Sequence, residues 1–133
     1  MLFILKTLCI VSQNSNIDSC INALKTAKED TNKVILLNEI AWDISYTSLQ
    51  KGIDYSDQAY ELAKKLKYER SFSRIFNTQG AVYADMAETA KALNLFLEGL
   101  KYAKKYNQVG VEVALYNSLG NLYNKLDGTQ KAL

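Results

Sequence analysis

The chain has 133 residues, 48% of them hydrophobic and 23% charged, which suits one globular domain and excludes a disordered chain. Its 16 basic and 14 acidic residues leave a net charge of +2, which is too balanced for a nucleic-acid surface. There is no histidine, the commonest general base and neutral metal ligand, and no proline to interrupt a helix. Composition therefore favours a helical protein and argues against nucleic-acid binding, catalysis, a metal site and a cofactor.

The N-terminal segment contains the apolar run LFILKTLCIV at residues 2–11, followed directly by the polar run SQNSN. The apolar run is too short to span a bilayer, but it fits the apolar region of a secretory signal. No basic residue precedes it, so residues 1–12 are either the remnant of a signal peptide or a short N-terminal helix. The first reading predicts an exported, periplasmic protein, and the second a cytoplasmic one.

Two cysteines, Cys9 and Cys20, are too few to form a disulfide framework. Cys20 shares helical spacing with Ile17, Ile21 and Leu24 in a predicted N-terminal helix within residues 13–30. We interpret Cys20 as a small buried hydrophobe rather than a reactive thiol.

Five further helices are predicted from apolar residues at helical spacing and from the polar turns between them. Thr31 or Asn32 is expected to cap the first of these helices. Asn107 and Gly110 are expected to adopt left-handed backbone, and Asp127-Gly128 to turn the chain after the last helix. The predicted ranges are 31–46, 51–67, 72–86, 90–103 and 111–126.

The chain repeats itself at an offset of 40 residues, so that Asn77, Gly80 and Tyr83 recur as Asn117, Gly120 and Tyr123. A fixed period of this size is typical of stacked helical repeats. Glycine inside a helix costs about 1 kcal/mol relative to alanine, so each glycine predicts close approach of a partner helix. The tyrosine three residues later is expected to fill the space between the helices.

The stretches FNTQGAVY…ALNLF and YNSLGNLY…AL resemble tetratricopeptide repeats, although the period exceeds the usual value of about 34 and the closing proline is absent. The resemblance implies an all-α, right-handed α-solenoid of antiparallel helix pairs, truncated at its C-terminus. Its units would be a degenerate first repeat at 31–69, a second at 70–109 and a partial third at 110–133. The residues that match or replace the repeat signature are Ala41, Gly80, Tyr83, Ala92, Phe96, Gly120, Tyr123 and Ala132.

In tetratricopeptide repeats the first helix of each pair lines a concave groove, and side-chain amides there can hold an extended peptide backbone. The alternative is that the amides bond neighbouring helices. Trp42 is expected to pack against the predicted N-terminal helix, over its residues 16–27, rather than to present its ring to a ligand. The residues that the resemblance places in the groove are Asn38, Trp42, Arg74, Asn77, Asn117, Asn121, Asn124 and Lys125.

The resemblance therefore implies a module that binds a protein or peptide segment and has no catalytic residues. Residues 16–44 also resemble the opening of the repeat region in Bacteroidetes-type exported signalling proteins, which implies a sensing role. The alternative is a structural scaffold or self-association domain without a peptide ligand. Because the last repeat is cut in half, its apolar residues Leu115, Leu119 and Leu122 are expected to be partly exposed and to favour self-association.

Overall fold

The computed structural model describes residues 15–132, and the side chains of residues 17–128. Over this range the chain is all-α, as predicted, with no strand. A short 3-10 turn, Glu69–Ser71, precedes the fourth helix. The helices are α1 (Ser15–Leu24), α2 (Thr31–Ser45), α3 (Leu49–Lys65), α4 (Phe72–Asp85), α5 (Thr89–Lys105) and α6 (Val109–Ala132).

The N-terminal segment 1–12, with its signal-peptide or helix alternatives, lies outside the described residues. Within them, no helix combines the length and the apolar character needed to cross a membrane. Cys20 is 5% exposed, as its place in the apolar stripe predicts, but it is disulfide-bonded. Its interpretation as a simple buried hydrophobe is therefore corrected, because helical spacing reports burial and not covalent pairing.

The chain divides into two compact units, the first ending at Ser71 and the second beginning at Phe72. The first unit contains α1, α2 and α3. Asp30, not Thr31 or Asn32, caps α2 by accepting a hydrogen bond from the Lys33 backbone N–H at 3.1 Å. Ser48 caps α3 in the same way through the Lys51 N–H at 3.3 Å. These caps satisfy donors that a helix start leaves unpaired.

Small residues bring α2 and α3 close together. A Cβ added at Gly52 would lie 2.8 Å from Ser45 Cβ and 3.3 Å from the Ala41 carbonyl oxygen. Ala41 is fully buried, and so is Ser56, which occupies the place of Phe96 in the next repeat. The Ser56 hydroxyl donates to the Ile53 carbonyl at 3.0 Å. A small serine in the place of a large phenylalanine therefore leaves no buried hydroxyl unpaired. Gly52 was not anticipated from the sequence.

In the second unit α5 closes on α4 at Gly80. A Cβ there would lie 2.5 Å from Cε1 of Phe96, whose side chain is 1% exposed. Ala92 is fully buried, and Tyr83 packs partly buried against the same apolar cluster. The glycine is needed because the aromatic ring occupies the space that any side chain would take.

The last helix differs from the prediction in its length. Instead of turning at Asp127-Gly128, α6 continues to Ala132. Ala132, which was expected in a returning helix, therefore lies in α6. Consequently a Cβ at Gly120 would meet nothing within 4 Å, and Tyr123 is 57% exposed rather than packed between helices.

The buried face of α6 is also not the expected one. Leu115, Leu119 and Leu122 are buried, at 0%, 8% and 3% exposure, in one apolar cluster with α5. A Cβ at Gly99 of α5 would lie 2.9 Å from Leu115 Cδ2, which places the two helices in close contact. The expectation of partly exposed leucines is wrong because these residues face the helix before them.

Three helices among the described residues are followed by a residue in the left-handed conformation, and none of these residues is a glycine. Lys67, Ala87 and Asn107 have φ values of 54°, 63° and 52°. Asn107 was expected to adopt this conformation. Gly110 was expected to as well, but it lies inside α6, and no glycine among the described residues has positive φ. Lys67 and Asn107 are 40 residues apart, so the exit turn of the repeat unit recurs.

Candidate functional site

The exposed aromatic residues of the first unit lie along one face of α2. Asn38, Trp42 and Tyr46 follow each other at intervals of four residues, which places them on one side of a helix. Trp42 is 38% exposed and Tyr46, the residue that ends the helix, is 77% exposed. Their rings meet edge to face with centroids 6.3 Å apart. This α2 face, defined by Asn38, Trp42 and Tyr46, therefore presents a paired aromatic surface to solvent.

Asn38 adds an unpaired acceptor to the α2 face. Its side-chain oxygen Oδ1 is buried and accepts no hydrogen bond, the one such side-chain atom found in the part of the chain that the structure describes. A buried polar atom left unpaired costs about 1–3 kcal/mol. Unpaired groups of this kind are rare in folded proteins and call for an explanation. Because Oδ1 is covered in the free chain, a ligand N–H removes this cost only when the Asn38 side chain turns toward it.

Exposure also bears on the two interpretations of Trp42. A tryptophan used only for packing is normally well covered, since its large surface stabilises the fold by burial. More than a third of the Trp42 side chain is open to solvent, and the ring that it contacts belongs to a still more exposed tyrosine. The side chain is therefore accessible to a ligand.

In the second unit, two of the residues assigned to the groove connect helices. Asn77 Oδ1 accepts a hydrogen bond from Ser118 Oγ at 2.8 Å, which joins α4 to α6. Lys125 Nζ and Asp85 Oδ1 form an ion pair at 2.8 Å between the same helices, with both side chains more than half exposed. These contacts agree with the alternative in which polar groove residues bond neighbouring helices.

The remaining groove residues of the second unit are exposed. Arg74 lies on α4, whereas Asn117, Asn121 and Asn124 follow one another along a single face of α6. Thus Asn77 and Asn117, at equivalent places in consecutive repeats, have different surroundings. Asn77 is partly buried and bonded to Ser118, while Asn117 is exposed. Sequence reasoning missed Ser118, although its repeat equivalent Thr78 is also a hydroxyl residue.

The described residues offer little else for chemistry. Among them, no group of three or more histidine, cysteine, aspartate or glutamate side chains could hold a metal ion. Burial raises the pKa of the Asp43 carboxyl on α2, without an ionic partner as a cause. A hydrogen bond and the charge of Lys65, 2.6 Å away, lower the pKa of the Glu29 carboxyl.

Comparison with known proteins identifies no relative: no protein-family model matches the chain, and neither a curated protein nor a solved structure matches it.

Proposed function

We propose that the chain is a non-enzymatic helical-repeat module that binds an extended peptide or protein segment on the α2 face. The observation that carries the proposal is the buried, unpaired Oδ1 atom of Asn38 on the same face of α2 as two solvent-exposed aromatic rings. An extended peptide offers both of the matching chemistries, since its backbone presents N–H donors and its side chains present apolar surface.

Each residue of the α2 face has a distinct part in this proposal. Asn38 accepts a backbone N–H and so fixes the peptide's position without selecting its sequence. Trp42 and Tyr46 supply large, stiff apolar surfaces that lose little conformational freedom on binding. The ligand is therefore expected to carry an apolar or aromatic side chain close to the bonded N–H.

The proposal is tested by selecting ligands from a phage-displayed library of random peptides and measuring their affinities by fluorescence anisotropy. Asn38→Leu, which removes the acceptor at similar volume, should weaken binding about fivefold, the equivalent of one hydrogen bond. Trp42→Ala should weaken it about tenfold or more if the ring is an anchor. Asn94→Leu, which changes an exposed amide on α5, is the matched control and should have no effect.

Two results would overturn the proposal. One is a library that yields no peptide with saturable binding. The other is a set of selected peptides whose affinities are indifferent to both Asn38→Leu and Trp42→Ala.

The wider identity of the module also belongs to this proposal. A tetratricopeptide-like, right-handed α-solenoid is supported within the second unit, where Asp85 and Lys125, equivalent residues 40 positions apart, form an ion pair between α4 and α6. A sensing role in an exported bacterial signalling protein rests on the resemblance of residues 16–44 to such proteins.

A second candidate function is a structural scaffold that joins other helical segments and holds no peptide. It is favoured by the apolar residues that α6 leaves in solvent, among them Val113, Tyr116 and Tyr123 at 55%, 51% and 57% exposure. Exposed apolar residues gathered on one face commonly mark an interaction surface.

A further inference from the structure

The exposed apolar residues of α6 form a single stripe. Val113, Tyr116, Gly120 and Tyr123 follow at spacings of three, four and three residues, which keeps them on one side of the helix. Val113, Tyr116 and Tyr123 are more than half exposed, and a Cβ at Gly120 would meet nothing within 4 Å. These four residues are called the α6 open face. Its centre is a glycine flanked by two aromatic rings.

The same face exists on α4, where it is covered. Each residue of the α6 open face has an equivalent 40 positions earlier, namely Ser73, Phe76, Gly80 and Tyr83. Ser73, Phe76 and Gly80 are buried, and Tyr83 is partly buried. The covering element is α5, which therefore shows what kind of helix fits a face of this composition.

Three contacts define how α5 covers the α4 face. The Phe96 ring takes the space above Gly80, where an added Cβ would lie 2.5 Å from Cε1. Lys91 Nζ lies 4.1 Å from the centroid of the Tyr83 ring, and the Tyr102 ring lies 6.0 Å from that of Phe76. Residue numbers rise along α5 as they fall along α4, so the two helices are antiparallel. The fitting helix thus carries a lysine, an aromatic residue five positions later and a second aromatic six positions after that.

We propose that the α6 open face binds one antiparallel amphipathic helix with this α5-type pattern, supplied by a partner protein. The partner's first aromatic ring fills the space above Gly120, its lysine lies over Tyr123, and its second aromatic packs against Tyr116. The inference goes beyond peptide binding on the α2 face, which involves the other unit of the chain.

Lys104 of α5 reaches the edge of this face, with Nζ 5.9 Å from the centroid of the Tyr116 ring, but no helix among the described residues covers it. Residues 129–132 read Thr-Gln-Lys-Ala, close to the Thr-Ala-Lys-Ala that opens α5, but they continue α6. A second copy of the chain does not match either. Its α6 open face also has glycine at the centre and brings no ring for Gly120, while its Phe96 is 1% exposed at its own Gly80.

The test uses the intact chain and a synthetic peptide with the sequence of α5, Thr89–Lys105, acetylated and amidated to remove its terminal charges. Anisotropy of the fluorescein-labelled peptide should show saturable binding. Phe96→Ala in the peptide should weaken it about tenfold or more, as for other buried aromatic anchors. Gly120→Leu in the chain should weaken it at least as much, because the added side chain takes the place of the ring.

Gly110→Leu is the matched control. Gly110 lies on the same helix, a Cβ there also meets nothing within 4 Å, and it is off the open face, so affinity should not change. Peptide binding that survives Gly120→Leu would overturn the proposal. The peptide would then be replacing the chain's own α5 at Gly80 rather than binding the α6 open face. Absence of binding would also overturn it. A third result would also overturn it: sedimentation shows a concentration-dependent dimer, Gly120→Leu abolishes that dimer, and the peptide does not bind. A second copy of the chain would then be the occupant of the α6 open face.

Discussion

At the scale of single residues, Gly80 and Gly120 occupy the same place in consecutive repeats but opposite surroundings. Gly80→Ala should destabilise the chain by about 1–3 kcal/mol, because the methyl group collides with the buried Phe96 ring. Gly120→Ala should stabilise it by about 1 kcal/mol, because the methyl meets only solvent and alanine is the better helix former. Free energies of unfolding from urea titrations would check both variants. Shifts of the same sign would contradict the assigned surroundings.

Asp43 and Glu29 are expected to make the stability of the chain depend on pH in opposite directions. Burial raises the pKa of the Asp43 carboxyl in the folded chain. The contribution of this group to the free energy of unfolding is therefore fully present below its unfolded-state pKa. It is lost as pH rises through the folded-state pKa, because the charged carboxylate is then partly buried. Asp43→Asn should therefore raise the melting temperature at neutral pH, and the gain should vanish in acid, where the native carboxyl is protonated.

Glu29 has the reverse sign, since Lys65 lowers the pKa of its carboxyl. Its contribution is present above the unfolded-state pKa and is lost as pH falls through the folded value. Glu29→Gln should lower the melting temperature slightly at neutral pH, where exposed ion pairs contribute little, and should have no effect in acid. Thermal melts at about pH 7 and about pH 3 check both variants. A pH-independent difference from the parent in either would contradict the stated cause.

At the scale of helices, two side-chain contacts join α4 to α6, namely the Asn77–Ser118 hydrogen bond and the Asp85–Lys125 ion pair. A double-mutant cycle of Asn77→Ala and Ser118→Ala should give a coupling energy of about 1 kcal/mol, because the two side chains bond at 2.8 Å. Asn117→Ala, at the equivalent but exposed place on α6, should change stability by less than about 0.5 kcal/mol. Additive effects of the first two changes would show that the bond does not join these helices.

Helix type and burial could be predicted because they depend on local patterns. Val34, Leu37 and Ile44 share the helical spacing that predicts an apolar stripe, and they are buried in α2. The turn at Asp127-Gly128 was predicted wrongly because local preferences for a turn are weak. A glycine inside a helix costs only about 1 kcal/mol, so the helix continues where no returning helix packs against it.

The candidate sites needed the structure, because they depend on side chains far apart in sequence. Repetition predicts that Asn77 and Asn117 occupy equivalent places, but not that Ser118 bonds one of them and leaves the other in solvent. Likewise, the spacing of Asn38 and Trp42 put them on one face, whereas the missing partner of Asn38 Oδ1 follows only from its three-dimensional surroundings.

At the scale of the whole molecule, the two units present different surfaces for recognition. The first offers the α2 face, with an unpaired acceptor and two aromatic rings. The second offers the α6 open face, which has apolar side chains around an uncovered glycine. An extended peptide suits the first because it brings backbone N–H groups, and a helix suits the second because its own backbone groups are already bonded. The two surfaces are thus expected to bind different ligands and to respond to different substitutions.

The central claim, that Asn38 is kept unpaired for a ligand, is tested most directly by measuring stability and affinity of the Asn38→Leu variant together. Removing an unpaired buried acceptor at similar volume should raise the free energy of unfolding of the free chain, by up to about 1–3 kcal/mol. The same variant should bind a library-selected peptide about fivefold more weakly. Trp42, the single tryptophan of the chain, reports both unfolding and binding by its fluorescence. A variant that is less stable than the parent and binds the peptide with unchanged affinity would contradict the claim, because Asn38 would then serve the fold and not a ligand.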